Sequence, residues 1–479
     1  MTEGTGAGIT EGGVDLAALR ARLAQAPDAD RLQPLGLGRI VAGPEALAEL
    51  PGVLTELLGA TAGPIALLTD ATPMLRAGAD LKSSVRALLE ADREVRLVRA
   101  GPADGNAHAD EATVAAACSG AEGVSAVVTV ASGTVADIGK TVAHQLGGLP
   151  HVIVQTAASV NGFSDDQSVL LRNGVKRTTP SRWPDVLVLD GAVLTDAPPA
   201  MNLAGLGDLV SMFTATPDWY LAREVGMDDS FSATAVALGR ELGDELLELA
   251  PALAQKDAGA VVRLAEILAI SGISMGVAGR TAPSSGMEHT VSHLLEMAAE
   301  RRGWGTALHG AKVGVTTIVA ALTWRHVRRR VAEAGMTLEF PSEAEMEQRV
   351  RAAFDPLDPS GAMGEECWSD YRAKLNRWHQ RRDIVERFAA GWEQHLSALD
   401  ELLVDPVRLV EAMKVAGAPV RFAELDPAID AETARWAVAN CHLMRDRFTV
   451  ADLACFTGAW GAEDVDAVLA EAAELGAGL

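Results

Sequence analysis

The chain of 479 residues is short of cysteine, of basic charge and of long apolar runs, and each shortage removes a class of function. Its four cysteines, Cys118, Cys367, Cys441 and Cys455, are scattered and form no CxxC pair. That argues against a disulfide framework and against a thiolate zinc site. Lys plus Arg number 41 against 65 Asp plus Glu, a net charge of −24. Such a surface repels phosphate backbones and anionic lipid, so no nucleic acid and no membrane surface is expected as a partner. The longest nearly apolar run, Val313 to Trp324, falls well below the roughly 20 residues that cross a bilayer, and no membrane insertion is expected. The first residues lack a basic segment followed by an apolar core, and the expected location is cytoplasmic. No internal repeat is evident, and no GxGxxG fingerprint follows the first strand-like segment.

What is present describes a large globular protein. A hydrophobic content of 48% with 22% charged residues, over this length, is enough for two domains. Residues 1–34 read as a Gly/Thr/Glu-rich tail followed by an amphipathic helix from Val14 to Leu23. Residues 35–199 alternate short apolar runs with helical patterns: Arg39–Ala42, Pro64–Asp70, Val95–Val98, Ala126–Val130, His151–Val154 and Asp185–Asp190. That alternation predicts an α/β domain with a mostly parallel, Rossmann-like sheet. Over residues 200–479 strand signals stop. Helices are expected at Glu241–Leu253, Ala260–Ile273, Glu288–Glu300, Ala311–Ala332, Glu343–Phe354, Trp378–Leu402 and Glu432–Arg447. An α/β half joined to an all-helical half predicts a cleft for cofactor and substrate.

The densest chemical signal is Met287-Glu288-His289-Thr290-Val291-Ser292-His293, followed by Leu308-His309-Gly310. On a helix, His289 and His293 leave one face about 6 Å apart along the axis, and neutral imidazole is the commonest ligand for a divalent metal. An HxxxH pair taken alone also fits two hydrogen-bonded core histidines. Asp208, in Gly205-Leu206-Gly207-Asp208-Leu209-Val210, sits in an apolar segment where an unpaired carboxylate is costly. It is either an exposed helix cap or the third member of an Asp-His-His set that leaves coordination positions open.

Two turns suggest a phosphate cradle. Ser132-Gly133-Thr134 leads from a strand into a helix that carries Asp137 and Lys140, where small side chains let backbone N–H groups approach an anion. Thr156-Ala157-Ala158-Ser159-Val160-Asn161 follows the next strand and adds hydroxyls and an amide at the same sheet edge. Asp70 ends an earlier strand, where it would either hold the ribose of NAD or cap a helix.

From about Arg39 onward the chain resembles the sn-glycerol-1-phosphate dehydrogenases, in particular their bacterial branch. These belong with the iron-containing alcohol dehydrogenases, glycerol dehydrogenases and dehydroquinate synthases. The resemblance is carried by Ser132-Gly133-Thr134 with Asp137-Ile138-Gly139-Lys140, Thr156 to Ser159, Asn173 to Thr178, Gly205 to Asp208, Ser285 to His289 with Ser292-His293, and Leu308-His309-Gly310. Ala416 to Pro419 and Arg445 to Thr449 add to it.

The resemblance implies a dehydroquinate synthase-like fold and NAD(P)-linked interconversion of dihydroxyacetone phosphate and sn-glycerol 1-phosphate. It implies one divalent metal (Zn, Ni or Fe) on Asp208, His289 and His309, with His293 and Asn161 on the substrate side. Asp70, Ser132, Gly133, Thr134, Asp137, Thr156, Ser159 and Asp165 are the implied dinucleotide contacts. A small phosphorylated substrate and a homodimer complete the expectation. Lys140, Lys176 and Lys312, three of only seven lysines, lie in or beside the matching motifs and are phosphate-binding candidates or solvated helix-end residues.

The chain departs from the family pattern at Asn161, usually Asp, at Val210-Ser211-Met212, usually Leu-Gly-Lys, at Ala311 and at Ala131. These changes leave open a different polyol or phosphonate substrate. A non-redox cyclase or a dinucleotide-binding relative stands further off.

Overall fold

Runs of β-branched and small apolar residues in the first half pair into an all-parallel sheet of six strands. The structure, a computed structural model, describes residues 9–10, 13–59, 63–103, 107–172 and 175–479. The chain forms β1 (Arg39–Gly43), β2 (Ile65–Thr69), β3 (Val95–Arg99), β4 (Ala126–Ala131) and β5 (His151–Gln155). An antiparallel hairpin of β6 (Gln167–Arg172) and β7 (Val175–Pro180) follows, and then β8 (Val186–Asp190). The sheet order is β1-β8-β5-β4-β2-β3. Every residue of β4, β5 and β8 is buried, as expected for strands covered on both faces. Leu67, Val128, Val152 and Val188 pack from four strands against Leu50, Val53, Leu81 and Val85 of the covering helices. Each such side chain contributes about 1.5–3 kcal/mol of transfer free energy.

This order fixes where a ligand can sit. The chain runs outward from β2 to β3 and then returns to place β4 on the other side of β2, so the connections diverge between β2 and β4. A crevice opens at such a switch point beyond the carboxyl ends of the strands. Helix α1 (Thr134–Gln145) starts there, directly after β4. Its close seat on the sheet needs Gly139, because a Cβ at that position would stand 2.2 Å from Thr129 Oγ1 and 3.0 Å from His151 Nε2.

Contacts divide the chain into two compact units, residues 1–206 with 237–280 and residues 207–236 with 281–479. The second segment of the first unit includes α4 (Ala258–Ala278), counted after α2 (Pro199–Leu209) and α3 (Met212–Glu224). Helix α4 is the one described helix long and apolar enough to cross a membrane, and 89% of its most apolar window is buried inside the protein, as in a core helix.

The second unit is helical in its regular elements, with α5 (Met287–Arg302) and α6 (His309–Ala334) packed together. Several expected helices are interrupted. Glu241–Leu253 divides into Gly243–Glu248 and Ala250–Ala254, the second opening on Pro251. Trp378–Leu402 is broken at Arg381 and Gly391. The Glu432–Arg447 helix ends at Asn440 and gives way to a short 3-10 turn, Cys441–Leu443; beyond Asn440 the buried Lys374 ammonium takes the carbonyls of His442 and Arg447 as acceptors.

Candidate functional site

The loop 303–308 between α5 and α6 brings His309, at the start of α6, beside His289 in the first turn of α5. Asp208, in the last turn of α2, completes the group: ligand atoms of Asp208, His289 and His309 all lie within 4.8 Å of one another. Both Nε2 atoms face the same carboxylate oxygen, Asp208 Oδ1, at 3.7 Å from His289 and 3.8 Å from His309. Ligands about 2.1 Å from a tetrahedral cation stand roughly 3.4 Å apart, so this spacing fits a divalent ion with small adjustments. Two imidazoles and a carboxylate also suit zinc, nickel or ferrous iron better than a hard cation such as magnesium.

Backbone approach makes the geometry possible. A Cβ on Gly207 would sit 2.3 Å from the carbonyl of Gly310, so glycine before Asp208 lets the ligand-bearing segments close on each other. Ser211 Oγ donates to the main-chain carbonyl of Asp208 at 2.6 Å and to that of Ser284 at 2.9 Å. Ser211 thus supplies a hydroxyl to the open end of α2.

The site is graded from buried to open. Asp208 keeps 2% of its side chain exposed and His309 keeps 32%, so the open side lies towards His309. His293, a turn beyond His289 on the same face of α5, has its ring centroid 5.9 Å from that of His309. Burial pushes His293 down to about 3, leaving it neutral. Burial also works against a charge on His289, but the carboxylates of Asp208 and Glu288 outweigh it and push the ring up to about 9. A cation held there would have to displace that proton.

Two carboxylates stand behind the histidines. Glu288 Oε1 accepts from His289 Nδ1 at 3.0 Å, and its Oε2 accepts from Thr214 Oγ1 at 2.7 Å. Glu296 Oε1 lies 3.3 Å from His309 Nδ1, and its Oε2 lies 3.5 Å from His293 Nδ1. Burial opposes charge on Glu296, but His293, His309 and Lys312 hold its carboxyl well below the usual range. The spacing His289, His293, Glu296 puts all three on one helix face, which is the signal that could have found Glu296.

At the sheet, Ser132 and Gly133 form the turn from β4 into α1, and Thr134 opens the helix. The turn after β5 lies against it: Thr156 N donates to Ala131 O at 2.9 Å, and a Cβ on Gly133 would meet only Val160 Cγ2, at 3.4 Å. Thr156 and Ser159 are buried. Asn161 is buried too, its Nδ2 donating to Ser271 Oγ at 3.1 Å.

The acidic residues have protein partners. Asp70 accepts from Thr72 N at 3.1 Å and Thr72 Oγ1 at 2.6 Å, with Lys82 Nζ at 3.3 Å. Asp165 and Asp137 lie 2.7 and 3.3 Å from the Lys140 ammonium, which also donates to the carbonyls of Gly162 and Gln167. Lys140 is fully buried and its ammonium is spent inside the fold. Lys312 is likewise turned inward, to Ala307 O at 2.6 Å, Thr306 Oγ1 at 2.8 Å and Glu296 Oε1 at 3.0 Å. Asn173 and Gly174, and the side chain of Lys176, lie outside the described residues.

Comparison with known proteins gives a consistent result. Residues 41–198 match the family model described as iron-containing alcohol dehydrogenase. The glycerol-1-phosphate dehydrogenase [NAD(P)+] of Bacillus licheniformis is 30% identical over 420 residues, covering 87% of this chain and 88% of that protein. Its counterpart from Bacillus velezensis is 33% identical over 315 residues, covering 61% of this chain and 78% of the relative. Among solved structures, a probable glycerol dehydrogenase from Sinorhizobium meliloti superposes with a TM-score of 0.56 at 18% identity, covering 91% of this chain and 97% of that one. A maleylacetate reductase from a Rhizobium species gives 0.56 at 16% identity, with 92% and 99% covered. At those identities the two structures speak for the fold.

Proposed function

This chain belongs to the iron-containing alcohol dehydrogenases, among their glycerol-1-phosphate dehydrogenases, and from that premise we propose that it interconverts dihydroxyacetone phosphate and sn-glycerol 1-phosphate, or a closely related small phosphorylated polyol, with NAD or NADP. The observation that carries the reading is the convergence of Asp208, His289 and His309, with His293 alongside. A divalent cation held by these three ligands would polarise the substrate carbonyl and offset the charge that gathers on its oxygen.

A bound nicotinamide would supply the hydride for reduction of the carbonyl carbon, and the carbonyl oxygen would need a proton. His293, whose ring centroid lies 5.9 Å from that of His309, is assigned the relay of that proton. Ser132, Gly133 and Thr134 would present backbone N–H groups at the start of α1 to the pyrophosphate, with Thr156 and Ser159 beside them. Asp70 stands at the switch point where the adenosine ribose would lie. Asp137 and Asp165 would support this pocket through Lys140. A cytoplasmic homodimer belongs to the same proposal.

One observation favours a related reading, a different polyol substrate. Asn161 replaces the family's usual Asp, and its amide is committed to Ser271. The test is turnover of the zinc- or nickel-loaded protein with NADH and NADPH on dihydroxyacetone phosphate, dihydroxyacetone and a phosphonate analogue, with chiral analysis of the product. Formation of sn-glycerol 1-phosphate supports the first reading, and preference for another ketone supports the second. No hydride transfer to any of them overturns both.

A further inference from the structure

Each ligand histidine has its second ring nitrogen turned to a buried carboxylate, and the two carboxylates are wired differently. Glu288, fully buried, meets only one histidine, His289. Glu296, also buried, stands between His309 on α6 and His293 on α5, with the Lys312 ammonium 3.0 Å from its Oε1. An Nδ1–H donated to a carboxylate fixes the tautomer, leaving the Nε2 lone pair as the ligand, and the acceptor's charge raises the basicity of that lone pair. Both Nε2 atoms do face Asp208 Oδ1.

We propose that Glu288 and Glu296 are positioning residues for the metal centre. Glu288 orients His289 alone, while Glu296, anchored by Lys312, orients the ligand His309 and the substrate-side His293 together. The inference rests on the metal-centre reading above. It predicts an asymmetry: loss of charge at Glu288 weakens the metal and nothing else, whereas loss at Glu296 weakens the metal and also slows the zinc-saturated enzyme, because His293 loses its orientation.

The experiment compares Glu288→Gln, Glu296→Gln and the double variant Glu296→Gln/Lys312→Met with wild type. Glu300→Gln, an exposed position on the same helix, is the control. Zinc affinity is read by chelator competition, and the ligand field by the visible spectrum of the cobalt(II) form. Turnover is measured at saturating zinc. The double variant removes the buried cation with its partner, so misfolding from an unpaired Lys312 does not mimic the effect. Circular dichroism of the metal-free proteins reports folding.

The expected result is a zinc affinity about 10- to 100-fold weaker in all three variants, a shifted cobalt spectrum and an unchanged control. At saturating zinc kcat should be near wild type for Glu288→Gln and lowered about tenfold or more for both Glu296 variants. Variants that fold, bind zinc within about twofold of wild type and keep the cobalt spectrum would overturn the proposal while leaving the centre intact. A wild-type protein that binds neither zinc nor cobalt would remove the centre and this inference with it.

Discussion

Asn161 stands where the family resemblance would put an aspartate, and its surroundings give that difference a direction. Its amide nitrogen donates to Ser271 Oγ, and the residue is buried. An aspartate in its place would accept from Ser271 or from a substrate hydroxyl, and a charge-assisted bond to a hydroxyl adds about 1.5–3 kcal/mol. If dihydroxyacetone phosphate is not the preferred substrate, Asn161→Asp should raise kcat/KM on it about tenfold or more. Initial rates on dihydroxyacetone phosphate, free dihydroxyacetone and a phosphonate analogue check this, and unchanged rates on all three would mean that the side chain does not meet substrate. Asp208 gives a sharper expectation. Asp208→Asn keeps the shape but removes the only carboxylate of the triad, so zinc affinity should drop by more than about 100-fold. Equilibrium dialysis tests it, and a variant that keeps wild-type affinity would remove Asp208 from the ligand set.

At the scale of elements, strands and histidine motifs were legible because their signals are local. The six apolar runs became the six sheet strands, and the HxxxH spacing with a third histidine beyond a short break lies on the two helices that form the centre. What escaped depends on distant partners. Trp378–Leu402 keeps a helical pattern throughout, and Arg381 is no breaker by type, so its break there is not encoded in propensity. The β6–β7 hairpin lies outside the expected strands because its run, Ser168-Val169-Leu170-Leu171-Arg172, does not alternate, although Asn173-Gly174 is a hairpin signal. For Glu296 the helical spacing from His293 is visible in the sequence, but its contacts with His309 and Lys312 on another helix are not.

Strand β5 also carries a pH expectation. His151 is buried against Thr129 Oγ1 at 2.8 Å, and burial first, then Arg182 and Lys140, push it down to about 3. An unfolded histidine titrates near 6.5, so below that pH the unfolded chain takes a proton that the folded chain refuses, and stability falls as pH drops towards 3. The loss attributable to this residue is about 2 kcal/mol by about pH 5. Denaturant unfolding of wild type and His151→Gln at about pH 7.5 and about pH 5 should show the variant losing about 2 kcal/mol less on acidification. Equal losses would refute the assignment.

For the whole molecule, a ligand that binds only the folded state adds stability by mass action. Zinc or nickel at about 100 times its dissociation constant should add about 2.7 kcal/mol, raising the unfolding midpoint by several degrees. A chelator should reverse the rise, and Asp208→Asn should not display it. Scanning calorimetry with and without metal checks the point, and a midpoint indifferent to metal in the wild type would speak against a bound cation. The net charge of −24 acts at this scale too, since the proposed phosphorylated substrate and dinucleotide, both anionic, would have to approach a repelling surface. It makes the backbone N–H groups at the start of α1 more valuable than the scarce lysines, of which Lys140 and Lys312 are turned inward.

The order in which the chain visits its two units sets a timetable for the centre. Asp208 belongs to the first visit to the helical unit and His309 to the second, 309 − 208 = 101 residues later. During synthesis at about 5–20 residues per second, the carboxylate emerges on the order of ten seconds before its last imidazole. In that interval the nascent chain holds an incomplete set, Asp208 alone and then Asp208 with His289, so a cation could meet all three ligands only after residues 237–280 have been made and the helical unit has been re-entered. A cation held by all three ligands would therefore be taken up only once residue 309 of 479 has been made.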